Sequence, residues 1–197
     1  MRKVRTAVLI SGRGSNMMAL VEAAKDPAYP AAIVCVVSDR ADAAGIAFAQ
    51  SNGIDTAIIE RKNYTDRMTF EADLDNVLRP NNTELIALAG FMRVLSPDFV
   101  KSWETRMINI HPSLLPAYKG LHTHERALAD GAKIHGCTVH HVTAELDAGP
   151  TILQAEVPVM PGDTPETLSA RVLKEEHRIY PEALSMVARS LQPKTSI

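Results

Sequence analysis

VRTAVLISGRGSNMMALVEAA, residues 4–24, contains an apolar run, a glycine loop and a second apolar run of different composition. Val4 to Ile10 is a short apolar and partly β-branched run, Ser11 to Asn16 is a loop carrying Gly12 and Gly14, and Met17 to Ala24 is rich in Ala, Leu and Met. The stretch therefore reads as strand, glycine loop and helix. The same order recurs downstream. Residues 32–37 read as a strand, 43–52 as a helix stopped by Gly53, and 55–59 as another short strand. A helix over about 66–78 ends before Pro80, residues 84–89 make the next strand and 107–110 the one after. Each helix must carry the chain back across the sheet. The alternation thus dictates parallel pairing with both faces covered, which accounts for strands that are apolar along most of their length.

After His111 the texture changes. Pro112 and Pro116 precede a helix around 123–130, and residues 136–142 and 151–157 alternate as strands, a pattern suited to a mixed or antiparallel sheet edge. Thr164 caps a last helix with Pro165 in its first turn, running through Leu168, Val172 and Leu173 towards Tyr180. Residues 192–197 read as a frayed tail. With no repeat and no linker, the chain is expected to form one α/β domain over residues 1–197.

Composition narrows the function. Hydrophobic residues make up 46% and charged residues 22% of the 197, which suits a globular chain rather than a disordered one. Net charge is −2, with no basic run that could follow a phosphodiester backbone, so no nucleic-acid partner is expected. The apolar run at Val4 is interrupted by Arg5 and lacks a cleavage pattern, and no segment approaches about 18 uninterrupted apolar residues, so neither a leader nor a membrane span is expected. Cys35 and Cys137 sit inside apolar segments and read as buried free thiols in a reducing compartment, which points to the cytoplasm.

Three constellations could carry chemistry. The loop Ser11 to Asn16 follows a strand and opens a helix, where unpaired N–H groups and the helix dipole favour an anion. A third glycine of the dinucleotide fingerprint would fall at Met17, and the Walker lysine is absent, so a monophosphate fits better; the same glycines would also serve a plain tight turn. In Asn109-Ile110-His111, strand alternation turns a carboxamide and an imidazole to one face at a strand's carboxyl end, where open α/β sheets bind ligands. A core histidine and a turn asparagine would look alike. Glu145-Leu146-Asp147-Ala148-Gly149-Pro150 is a turn with two acids, a composition that solvated turns share.

Taken together, these residues resemble the glycinamide ribonucleotide formyltransferase family, the folate-dependent enzymes of the purine pathway. The resemblance covers nearly the whole chain. It rests on SGRGSN at 11–16, LAGFMRVLS at 88–96, NIHPSLLP at 109–116, KGLHTH at 119–124 and LDAGP at 146–150. The Asn-x-His pair and the Ser-Leu-Leu-Pro segment are common to related formyltransferases; the KGLHTH segment narrows the choice. Expected from the resemblance is a Rossmann-like formyltransferase fold, its central sheet mostly parallel and flanked by helices, with a mixed or antiparallel C-terminal part. It also implies a phosphate-binding half over about 1–105 and a catalytic and folate-binding half over about 106–190. The implied reaction moves a formyl group from 10-formyltetrahydrofolate, a cosubstrate, to the amino group of 5'-phosphoribosylglycinamide, with no metal and no tightly bound cofactor. Carried over residue by residue, Asn109, His111 and Asp147 are catalytic and Gly14, Ser15 and Asn16 hold the phosphate. Glu176 meets the glycinamide amino end. Arg67, Met92, Arg93, Val94, Leu95 and Asn109 meet the folate. Without the resemblance, Met92, Val94 and Leu95 would be assigned to the core. Arg13 departs from the common family pattern and receives no role. The partners expected are small molecules, and the state a monomer or a homodimer.

Two rival readings come from other classes. Six of the seven histidines fall between His111 and His141, as a metal-dependent hydrolase would need, but no HExxH or cysteine pair accompanies them. A nucleotide-sensing module would use the glycine loop and leave Asn109, His111 and Asp147 without a purpose.

Overall fold

The computed structural model describes residues 2–193. Its elements are β1 (Val4–Ile10), α1 (Ser15–Ala24), β2 (Ala31–Ser38), α2 (Ala44–Ser51), β3 (Asp55–Ile58), α3 (Arg67–Leu78), β4 (Leu85–Leu88), α4 (Pro97–Ser102) and β5 (Met107–His111). They are followed by α5 (Thr123–Ala129), β6 (Ile134–His141), β7 (Thr151–Pro158) and α6 (Pro165–Leu191). The strands form one seven-stranded sheet in the order β3-β2-β1-β4-β5-β6-β7. All pairs from β3 to β5 are parallel, and β5–β6 and β6–β7 are antiparallel. Chain direction out of β1 goes first to one side, through β2 and β3, and then to the other, through β4 and β5. The carboxyl ends of β1 and β4 therefore flank the switch point at which such sheets hold ligands.

The strands are apolar on both sides because both sides are covered. Val4, Val8 and Ile10 of β1 pack with Met17, Leu20 and Val21 of α1 and with the apolar stripe of α6. Ala7 and Leu9 point the other way, to Phe70, Leu74 and Leu78 of α3 and to Trp103 beyond α4. At roughly 25 cal/mol per Å² of buried apolar surface, these two layers provide the main drive for folding.

Two helical features depart from the sequence reading. Residues 97–102 form α4, capped by Ser96, whose hydroxyl accepts from the Phe99 N–H with Pro97 in the first turn; a helix this short leaves little periodicity to read. The last helix, read only as running towards Tyr180, continues through Pro181 to Leu191. An interior proline costs a helix about 3 kcal/mol. Here Ile179, Ala183, Leu184, Val187 and Ala188 continue one buried stripe across it, and that packing outweighs the lost bond. No helix among the described residues is long and apolar enough to cross a membrane. The frayed tail expected over 192–197 lies, from residue 194 on, outside the described residues.

Candidate active site

The loop after β1 is built for close approach. Gly14 caps α1 with φ 74°, in the left-handed region that glycine tolerates best, and no side chain caps the helix. The first-turn N–H groups are thus left without a side-chain acceptor, and no acidic residue occupies the first turn. A Cβ on Gly14 would lie 3.1 Å from the Gly45 Cα of α2, so the two helix starts are packed backbone to backbone. The Gly45 N–H donates to the Gly12 carbonyl at 3.3 Å, tying α2 to the loop. Gly45 carried no readable signal in the sequence, because its partner is 31 positions away.

Asn16 extends from the loop to α6, where its Nδ2 donates to Glu176 Oε2 at 2.7 Å. The Asn16 Oδ1 is buried without a partner. Burial pushes the Glu176 carboxyl above its usual range, and the Asn16 bond only partly opposes this. One turn further along α6, the Tyr180 hydroxyl donates to the Leu88 carbonyl at 2.8 Å and approaches that of Ile108 at 3.4 Å, so the same helix braces the ends of β4 and β5.

The segment after β4 leaves the sheet beside the glycine loop. The Met92 N–H donates to Ser11 Oγ at 2.8 Å. Met92 and Val94 are 66% and 60% exposed, whereas Leu95 is buried, so only Leu95 packs as the core assignment expects. The Arg93 guanidinium is ion-paired with Asp39, whose carboxylate is buried at the end of β2. Glu71, buried on α3, accepts from the Ser96 N–H at 2.6 Å and from the Ser96 hydroxyl, which anchors the far end of the segment. Arg67, the first residue of α3, is exposed and makes no hydrogen bond or ion pair among the described residues.

The third group meets at the β5–β6 boundary. Asn109 and His111 share a face of β5, as alternation requires, and the loop after β6 returns Asp147 to them with φ 47°. His111 is buried, with Nε2 on the Tyr118 carbonyl at 2.9 Å and Nδ1 at 3.4 Å from Asp147 Oδ2. Asp147 also accepts from the Gly120 N–H at 2.9 Å. The Ser113 hydroxyl donates to the Ala117 carbonyl at 2.6 Å and so holds the turn that supplies Tyr118. The Tyr118 carbonyl and the Asp147 carboxylate thus hold the His111 ring from both nitrogens and fix its orientation. A fourth member escaped the sequence reading. His140 pairs with Asn109 across the antiparallel register, and Asn109 Nδ2 lies 3.3 Å from His140 Nε2.

The remaining histidines do not assemble. His124 and His135 pair with each other, Nδ1 to Nε2 at 3.2 Å, and His122 faces Glu125. Among the described residues, no three His, Cys, Asp or Glu side chains are grouped to hold a metal ion, which is the arrangement the hydrolase reading required. Burial pushes the thiols of Cys35 and Cys137 up to about 11 and about 12, so neither is a ready nucleophile.

Comparison with known proteins agrees along the chain. A family model described as formyl transferase matches residues 4–184. The phosphoribosylglycinamide formyltransferase of Escherichia coli is 45% identical over 92% of this chain and 85% of its own length. The trifunctional purine biosynthetic protein adenosine-3 of Bos taurus is 50% identical over 95% of this chain, which spans only 18% of that longer protein. A crystal structure of phosphoribosylglycinamide formyltransferase from Brucella melitensis superposes with a TM-score of 0.91 at 49% identity, covering 100% of both chains. Glycinamide ribonucleotide transformylase 1 from Symbiobacterium toebii gives a TM-score of 0.93 at 45% identity, covering 95% of this chain and 89% of its own.

Proposed function

The chain belongs to the formyl transferase family, and from that premise we propose that it transfers the formyl group of 10-formyltetrahydrofolate to the amino group of 5'-phosphoribosylglycinamide, a step of de novo purine synthesis. The observation that carries the reading is the buried contact of His111 with Asp147, beside Asn109, at the carboxyl end of β5. The substrate phosphate binds at Gly14, Ser15 and Asn16, on the N–H groups that α1 leaves uncapped. Glu176, held against Asn16, accepts hydrogen bonds from the same substrate at its amino end. The donor lies along Met92 to Leu95, whose exposed Met92 and Val94 suit a flat apolar ring. The Arg67 guanidinium meets a carboxylate of that donor, while Arg93 contributes in company with the buried Asp39 charge it neutralises. The phosphate and the donor thus draw on residues before about 105, and the substrate amine and the reacting groups on residues after it.

The chemistry follows from charge. As the amine nitrogen bonds to the formyl carbon, the carbonyl electron pair moves onto oxygen, and a preorganised donor stabilises it; the Asn109 amide and an imidazolium at His111 are the candidates. Collapse breaks the bond from carbon to folate N10. The proton lost by the incoming amine and the one gained by N10 pass through His111, whose charge Asp147 supports. The tetrahedral carbon ends as formamide, and the folate leaves as tetrahydrofolate.

The test is a spectrophotometric assay of the purified chain with glycinamide ribonucleotide and a 10-formylfolate donor. Turnover that requires the amine is expected; a folded chain that turns over neither substrate would overturn the reading. Asp147→Asn keeps the size and removes the charge, so kcat should fall by about 10²–10³. Groups that act as one unit lose non-additively, so adding His111→Ala to Asp147→Asn should be little worse than the more damaging single change. Additive losses would mean that the two residues act independently.

A further inference from the structure

We propose that His140 is a positioning residue that turns the Asn109 carboxamide so that its N–H group, and not its carbonyl, faces the reacting formyl oxygen. This rests on the formyl-transfer reading above.

An amide side chain has a donor end and an acceptor end of nearly the same shape, and nothing in its own geometry decides which one faces a substrate. For Asn109 the choice matters, since its carbonyl would repel the negative charge that the reaction builds. The decision is made by the cross-strand neighbour. The register of β5 and β6 sets His140 directly opposite Asn109. His140 Nδ1 is 2.9 Å from the backbone carbonyl of His141, an acceptor with no hydrogen to offer, so Nδ1 carries the proton. In the neutral ring, Nε2 is then a bare lone pair. It lies 3.3 Å from Asn109 Nδ2, and only the amino end of an amide satisfies it. One N–H of Asn109 is therefore spent on His140, and the other stays available to the substrate.

Asp147 pulls the other way. Its Oδ1 lies 3.7 Å from His140 Nε2 and favours a proton there. That distance exceeds a hydrogen bond, whereas the bond to the His141 carbonyl is made. His140 is also almost entirely buried, and burial lowers its pKa more than Asp147 raises it; His111 and His141 add repulsion against a second positive charge. The ring stays neutral with Nε2 as acceptor. His111 and His140 thus flank a single carboxylate in different hydrogen-bonding surroundings. His111 has an oxygen acceptor beside each ring nitrogen, whereas His140 has one beside Nδ1 and the Asn109 amide beside Nε2.

The expected losses can be read as rates. His140→Leu removes the lone pair at similar bulk and should lower kcat by about ten- to a hundredfold, less than the 10²–10³ typical of losing an oxyanion donor outright, because Asn109 is still present. KM for glycinamide ribonucleotide should stay within about twofold, since the phosphate loop is untouched. His140→Gln returns a carbonyl acceptor near the Nε2 position and should recover most of the lost rate. In an Asn109→Ala background, His140→Leu should cost almost nothing further. An equal loss in both backgrounds, or a Gln variant as poor as the Leu variant, would overturn the proposal. Because a buried substitution can unfold a protein, ¹⁵N NMR of the wild-type imidazoles provides a second measurement. Protonated Nδ1 with bare Nε2 at His140 is expected, and the opposite tautomer would also overturn it. Absence of formyl transfer in the wild type would instead strike the functional reading, and the tautomer measurement would still decide the role of His140.

Discussion

His135 illustrates how a single buried group sets a condition on the whole molecule. Burial, aided by repulsion from His124, lowers its pKa from 6.5 to about 4. Between those values the unfolded chain binds a proton that the folded chain refuses, so the stability difference rises with pH across that window and falls on acidification. Denaturant unfolding at pH 7, 5.5 and 4.5 should show a progressive loss, and His135→Gln should reduce its steepness; an identical slope in the variant would assign the loss to other groups. At this scale alternation on β5 is enough to put Asn109 and His111 on one face, whereas the acidic turn alone reads as solvated and only the resemblance points Asp147 towards His111, which it meets at 3.4 Å. The sequence was a poor guide to His140. His140 is one of the six histidines that fall between His111 and His141, and only the antiparallel register reveals that it faces Asn109. Arg93 is a similar case, since nothing nearby in the chain announces that a buried carboxylate at Asp39 already holds its guanidinium.

Among the elements, the starts of α1 and α2 do the work of shaping the phosphate loop. Replacing Gly45 by Ala would bring a Cβ to 2.5 Å from Ile10 Cδ1 and 3.3 Å from the Gly14 Cα. Overpacking of this kind costs about 1–3 kcal/mol. Gly45→Ala should therefore lower the denaturation midpoint and weaken glycinamide ribonucleotide binding about tenfold, equivalent to ~1.4 kcal/mol, while leaving the folate donor unaffected. Calorimetric titration with each ligand checks this, and unchanged affinity for the phosphorylated ligand would contradict it. Most elements were legible because their patterns are strong: β1 and β2 are apolar runs, and the helix read over about 66–78 is α3, with Asp66 as its cap. The extension of α6 beyond Pro181 was hidden because a local breaker is overruled by distant packing, with the Tyr29 hydroxyl also donating to the Pro181 carbonyl at 2.6 Å.

For the molecule as a whole, the order β3-β2-β1-β4-β5 brings the loop after β1, the segment after β4 and the end of β5 to one edge of the sheet. Two antiparallel strands then complete the sheet, and their return loop carries Asp147 to His111. Strand order was accessible only in part: the βαβ rhythm predicts parallel pairing, but no local signal says that β4 joins β1 on the side opposite β2. In the proposed function, this edge moves a formyl group between two bound molecules. The most direct test of that transfer follows a ¹³C-labelled formyl carbon by NMR after the chain is mixed with labelled 10-formyltetrahydrofolate and glycinamide ribonucleotide. The label should leave folate N10 and appear, one for one, in the formamide of the ribonucleotide product; label that stays on the folate, or emerges as free formate, would show that no such transfer takes place.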